Sequence, residues 1–188
     1  MRTAPTAIAA ALLAALTLTA CGGNDGGDSG DGGKTAASPS GDGKGSGSAC
    51  ATAGTAFAVG PSSAAPAAGD EGAVPVTVTN KSGAPCTVTG LARVELLAGG
   101  KSWPLAAQEG AAKDGELTLA EGQSVTFTIA YVRGIAGDAQ QSADVQKLSF
   151  SLPGEKKAHT YDWPDAEVAL QSGDTLEATV GPFTPVGD

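Results

Sequence analysis

The chain has 188 residues, 11 Lys and Arg against 20 Asp and Glu, a formal net charge of −9 and three cysteines. Phosphate backbones are held by concentrated Lys and Arg, so an acidic chain whose only adjacent basic pair is Lys156-Lys157 is not expected to bind nucleic acid. Nor is it expected to hold an anionic lipid surface by charge, and Lys156-Lys157 itself reads as a solvated turn.

The first element is a targeting segment. Arg2 precedes an apolar run from Ala7 to Ala20 that ends in Leu18-Thr19-Ala20-Cys21. A positive start, an apolar middle and small residues before a cut site make a secretory signal. The run is too short to span a bilayer, which takes about 20 apolar residues. Leucine, two small residues and cysteine in that order also match the bacterial lipobox, in which the thiol is acylated, as with palmitate, and the signal is cut before Cys21. The plainer alternative is an ordinary secreted protein with a chance cysteine. We therefore expect a lipoprotein signal peptide over residues 1–20 and a lipid anchor on Cys21 at the extracytoplasmic face of the cell membrane.

Residues 21–49 follow as the lipidated cysteine and a linker of Gly, Ser, Asp, Lys, Ala and Thr, as in Gly26-Gly27-Asp28-Ser29-Gly30-Asp31-Gly32-Gly33. Such a segment has little apolar surface to offset its ordering entropy. As a coil of this length it reaches roughly 30 Å, the dimension of a tether. Asp25, Asp28 and Asp31 recur every third residue and invite a calcium reading. An EF-hand loop needs ligands at alternate positions and a closing Glu, and calcium β-helix repeats have another spacing, so no calcium site is expected. Without Arg2 the mature chain carries 10 Lys and Arg against 20 acids, a charge of −10.

The folded domain is expected over residues 50–188, long enough for one respectable core. With Cys21 taken by lipid, Cys50 and Cys86 remain, an even pair in a compartment where disulfides persist. Their bond would stabilise the fold by roughly 3–4 kcal/mol in the chain-entropy model. The alternative, a reactive thiol, suffers from the distance in sequence to the only histidine, His159.

Within the domain the pattern is all-β. Val74, Val76 and Val78 alternate with polar or small neighbours, and Val125, Phe127, Ile129 and Tyr131 do so in the strongest stretch, Gln123–Val132. Leu117 with Leu119, Leu148 with Phe150 and Leu152, and Leu176 with Ala178 and Val180 repeat the period. Period-two alternation between turn residues means half-buried strands. Turns fall at Asn80-Lys81-Ser82-Gly83, Gly99-Gly100, Glu121-Gly122, Pro153-Gly154 and Ser172-Gly173-Asp174. Residues 106–114 and 134–144 read as loops, the second with room for a helical turn, and residues 72–90 as a hairpin. Seven or more short strands at this spacing predict an antiparallel β-sandwich of immunoglobulin-like type.

Asn80-Lys81-Ser82-Gly83-Ala84-Pro85-Cys86-Thr87-Val88-Thr89-Gly90 resembles the hallmark of an actinobacterial lipoprotein family catalogued as domain of unknown function four-two-three-two. Its pattern is a strand ending in Asn, a short polar turn, Pro-Cys-Thr, an apolar residue and a Gly. Cys50 matches an earlier cysteine that opens the domain, and Leu119-Ala120-Glu121-Gly122 before Gln123 matches a Leu-x-x-Gly segment leading into a long strand. The resemblance covers most of residues 50–180 and is specific around 80–90. Two features depart from it: Leu91-Ala92 stands where members often have Tyr-Pro, and the second cysteine pair of many members is missing. The resemblance implies a β-sandwich on a lipid anchor and supplies no activity.

Signatures of chemistry are sparse. There is no GxSxG elbow and no SxxK, no P-loop and no GxGxxG fingerprint. Zinc normally takes three or four ligands, and copper carriers favour Met and His. Met1 leaves with the signal and His159 stands alone, so neither metal nor cofactor is expected. Sixteen acids lie beyond residue 49, and nothing singles out a glycosidase pair among them.

One constellation remains, His159-Thr160-Tyr161-Asp162-Trp163. In a strand, His159, Tyr161 and Trp163 share a face, and Trp103 could join them as a ligand face for sugar rings. The plainer reading puts Tyr161 and Trp163 in the core, since a chain poor in aromatics tends to bury them. The expectation drawn from all this is a non-catalytic binding or scaffolding module, with the membrane and a cell-envelope protein or glycan as partners. A glycan-binding module is second and a cell-envelope hydrolase third.

Overall fold

The computed structural model describes residues 47–63, 65–172 and 174–186. The signal segment, Cys21 and the linker as far as residue 46 lie outside the described residues, as does Gly173 of the expected 172–174 turn.

Among the described residues the fold is all-β, with one 3-10 turn at Thr52–Gly54. The strands are β1 (Ser48–Ala49), β2 (Thr55–Val59), β3 (Glu71–Asn80), β4 (Cys86–Thr89), β5 (Arg93–Ala98), β6 (Lys101–Pro104), β7 (Ala106–Ala107) and β8 (Glu116–Leu119). They continue with β9 (Ser124–Val132), β10 (Ser142–Ala143), β11 (Lys147–Ser151), β12 (His159–Asp162), β13 (Val168–Ser172), β14 (Thr175–Leu176), β15 (Ala178–Val180) and β16 (Thr184–Pro185).

Two sheets make the sandwich. The larger runs β2-β3-β9-β15-β7, with β16 also on β9, and the smaller runs β12-β11-β5-β6. Three-stranded sheets β1-β4-β8 and β10-β13-β14 flank them. Pairing is antiparallel except for β1 with β4 and β15 with β7. The expected antiparallel sandwich is therefore what forms.

Alternation places the core. Val74, Val76 and Val78 on β3, and Val125, Phe127, Ile129 and Tyr131 on β9, are buried on one face of the larger sheet. Val94 and Leu96 on β5, and Leu148 and Phe150 on β11, meet them from the smaller sheet. All four phenylalanines join across this interface, with Phe150 touching Phe57 and Phe127 at 5.2 and 5.5 Å, and Phe127 touching Phe183 at 5.4 Å. The pairs are edge-to-face, the arrangement favoured by the ring quadrupole.

Two expectations are corrected. Residues 72–90 do not form a hairpin: β3 pairs with β2 and β9, whereas β4 pairs with β1 and β8. Both edges of β3 are already occupied, so the chain after Asn80 must enter another sheet. The stretches 106–114 and 134–144 are not wholly loop, since each contains a two-residue strand, β7 and β10. The first arises because the chain switches sheets at Leu105: Trp103 opposes Leu96 in the smaller sheet, and Ala106 opposes Thr179 in the larger.

Asn80 organises the crossing. It is fully buried, and its amide donates to the carbonyls of Ala84 (2.7 Å) and Leu119 (3.0 Å) while its Oδ1 accepts from the Ser82 N–H (2.9 Å) and hydroxyl (2.7 Å). The turn delivers Cys86 to the start of β4, 4.8 Å Cα to Cα from Cys50, with which it forms a disulfide. Ser48 and Ala49 pair with Cys86 and Thr87, and the Cys50 N–H donates to the Thr87 carbonyl. Gly90, the glycine of the motif, sits at φ 89° with the Lys113 carbonyl only 2.9 Å from where a Cβ would stand, a place no other residue fits without strain.

Two measurements check this arrangement. Asn80→Ala should lower unfolding free energy in urea by about 1–3 kcal/mol, the cost of leaving buried polar groups unpaired. An unchanged midpoint would show that water replaces the amide. Non-reducing peptide mapping should find Cys50 joined to Cys86, and Cys50→Ser with Cys86→Ser should remove roughly 3–4 kcal/mol, given a sequence separation of 36. Two alkylatable thiols in protein collected from the oxidised compartment would contradict the pairing.

Candidate functional site

The aromatic row does not form an open face. Trp163 is 6% exposed, its ring edge-on to Tyr131 at 5.1 Å and its indole N–H donating to the Ala166 carbonyl at 3.1 Å. Trp103 is 8% exposed and lies on β6, the edge of the smaller sheet opposite to β12, so it does not join the row. Tyr161 is half-buried and stacked on Phe150 at 5.7 Å. His159 is half-buried, 4.6 Å from the ring of Phe57, and its Nε2 is buried without a hydrogen-bond partner. The face shared by His159, Tyr161 and Trp163 is the inner face of β12, turned toward the larger sheet. Both tryptophans are buried, so neither presents the open ring that the ligand-face expectation needs; of the pair read as core, Trp163 is buried and Tyr161 half-buried. Cys50 and Cys86 are buried at 3% and 4% and bonded to each other, which removes the reactive-thiol alternative.

The structure brings together a different set of residues, on the outer face of the larger sheet. Ala73, Ala130, Thr179 and Ala106 stand in one register row across β3, β9, β15 and β7. They floor a cavity of about 640 Å³ whose rim includes Glu71, Glu177 and Gln108. A second cavity of about 520 Å³ shares Val132, Gln171 and Glu177 with the first, so the two adjoin and together are termed the groove. The second part adds Arg133, Gln140, Gln141 and Ile135, the last 46% exposed. Glu177 is positioned by its own N–H donating to the Ala169 carbonyl and by its carbonyl accepting from Val132.

The sheet under the groove is thin at one point. Tyr131 pairs with Gly72, and its ring lies where a Gly72 Cβ would be, 2.4 Å from the ring Cζ. The phenol oxygen is buried with no partner. The groove lies at the Glu71 end of β3, whereas the chain enters at the Asn80 end beside Cys50 and Cys86. Ten residues of strand separate those ends by roughly 30 Å.

Sequence reasoning missed the groove because its floor is contributed by strands far apart in sequence. One local signal existed. Outward positions on β9 read Ser124, Thr126 and Thr128 and then change to Ala130, and on β3 Thr79 and Thr77 give way to Ala73. The hydroxyl rows stop where the floor begins.

The burial of Trp163 is directly measurable. Trp163→Ala should lower stability by about 3–5 kcal/mol, as for a core truncation, with a matching fall in melting temperature. An unchanged melting temperature would return this ring to the surface.

No curated protein and no solved structure matches this chain. A family model, described as domain of unknown function (DUF4232), matches residues 50–184. That span takes in the Asn80 turn, the Cys50–Cys86 bridge and both sheets of the sandwich, and the chain belongs to this family.

Proposed function

We propose that this chain is an actinobacterial lipoprotein, held by lipid on Cys21 at the extracytoplasmic face of the cell membrane, and that its β-sandwich is a non-catalytic module that binds or scaffolds a cell-surface partner. The observation that carries the reading is the order Leu18-Thr19-Ala20-Cys21, closing an apolar run and followed by a Gly, Ser and Asp tether. A disulfide at the point where the chain enters the domain suits an oxidising compartment. The position of His159 supports the non-catalytic part: packed on Phe57 with Nε2 buried, it is poorly placed to exchange protons with a substrate. A glycan reading loses the aromatic platform that suggested it, because Trp103 and Trp163 are in the core.

Cys21→Ala should move the protein from the membrane fraction to the medium, or leave it as uncleaved precursor. A variant still membrane-bound and still cut at the same bond would overturn the anchor. Crosslinking on intact cells should then capture a partner with the native protein, and repeated absence of any captured species would overturn the binding role.

A further inference from the structure

We infer that the groove at the Glu71 end of the sandwich docks a cationic, extended peptide segment of a partner protein. The inference rests on the binding-module reading above and gives that module a place and a ligand chemistry. Its first support is adjacency: the two cavities share Val132, Gln171 and Glu177 and so lie side by side along the sheet, within reach of one extended segment. Its second is the floor. Three of its four residues, Ala73, Ala130 and Ala106, carry only a methyl group, with Thr179 between the last two, so a main chain can lie close to the sheet over Ala73 and Ala130.

Charge selects the occupant. Glu71 and Glu177 stand on the rim, and Asp70 and Glu167 are held at the same end by backbone bonds to Arg133 and Gly134. Among the described residues lining the two cavities Arg133 is the one cation, and its guanidinium donates to the Ala65 carbonyl. Lys101 is paired with Asp174. Two acids thus line the two cavities against one cation, and an excess of negative groups draws and orients a positive partner.

Peptide is favoured over sugar by what lines the groove. The amides of Gln108 and Gln171 each offer donors and an acceptor, the complement of peptide groups, while the Gln141 amide already donates to Asp138. Stacking of a sugar needs an open ring face, and the aromatic residue that lines the groove, Tyr131, is 2% exposed. Ile135 supplies an exposed apolar contact at the far end. The groove is also at the opposite end of β3 from Ser48–Ala49, the strand that pairs with Cys86 and Thr87.

The test uses the full chain purified in detergent, with a fluorescein-labelled peptide of alternating lysine and alanine as probe. The native protein should bind it, and binding should weaken as salt rises. Glu71→Lys combined with Glu177→Lys should weaken binding about tenfold or more by placing like charges together, with an unchanged melting temperature. Glu116→Lys, an exposed charge on β8 outside the groove, should leave it nearly unchanged. A peptide of alternating glutamate and alanine, and an N-acetylglucosamine oligomer, should not bind. The proposal is overturned by no binding to the native protein, by equal loss in Glu116→Lys, or by sugar binding in place of peptide. Crosslinking on intact cells with the double variant separates the two levels. A partner captured as well as by the native protein overturns the groove and leaves the binding module standing, whereas nothing captured by the native protein overturns the module itself.

Discussion

The sandwich depends on a single amide being satisfied on every side. Asn80 ends a strand whose two edges are already occupied, in a place closed to water. A buried amide with unmet bonds would be costly, but this one meets its partners from the following turn and from β8. Its main chain adds bonds to Gln123 and Gly122, at the turn into β9. One residue thus holds the end of β3, the start of β4 and the entry to β9 in fixed relation, and the disulfide, the flanking sheet and the central strand of the larger sheet take their positions from it.

The aromatic residues follow a second constraint, scarcity. A chain with four Phe, two Trp and two Tyr must fill a two-sheet interface, and the four phenylalanines bridge it together. Tyr131 and Trp163 close a second contact at the Glu71 end. Little aromatic surface remains for recognition. What is presented outward on the larger sheet is small and hydroxylic, with Thr77 on Thr126 and Thr79 on Ser124 in cross-strand hydrogen bonds, and alanine replaces threonine at Ala73 and Ala130 on the floor of the cavity of about 640 Å³. The recognition we propose for this fold therefore draws on shape, amides and charge.

Much of the fold could be read from alternation alone. The stretch Gln123–Val132 is β9 within one residue, and the buried sets at Val74, Val76 and Val78 and at Leu148, Phe150 and Leu152 are the ones the period marks. Pairing was not legible, because a strand's partner depends on which edges remain open. This is why β3 and β4, adjacent in sequence, lie in separate sheets. Two-residue strands such as β1 and β7 leave no periodic trace. The side of β12 that faces inward was ambiguous for a related reason: alternation puts His159, Tyr161 and Trp163 together without saying which way they turn. That is decided by Phe57 and Phe150, neighbours that no local pattern names. The groove belongs to the same class, since register places its floor residues side by side from four strands.

The bridge between Cys50 and Cys86 also fixes how the domain bears tension. A pull transmitted from residue 47 into the fold first meets β1, lying parallel to β4, and then the covalent link to Cys86. The pull passes into β4, the central strand of its sheet with β1 on one side and β8 on the other, and so is shared between two ladders of hydrogen bonds. β2, which pairs on one edge only, is spared from being peeled off first, and with it the edge of the larger sheet. If the domain is tethered through its N-terminal side as we propose, the bond acts as a mechanical clamp at the point where that tether pulls.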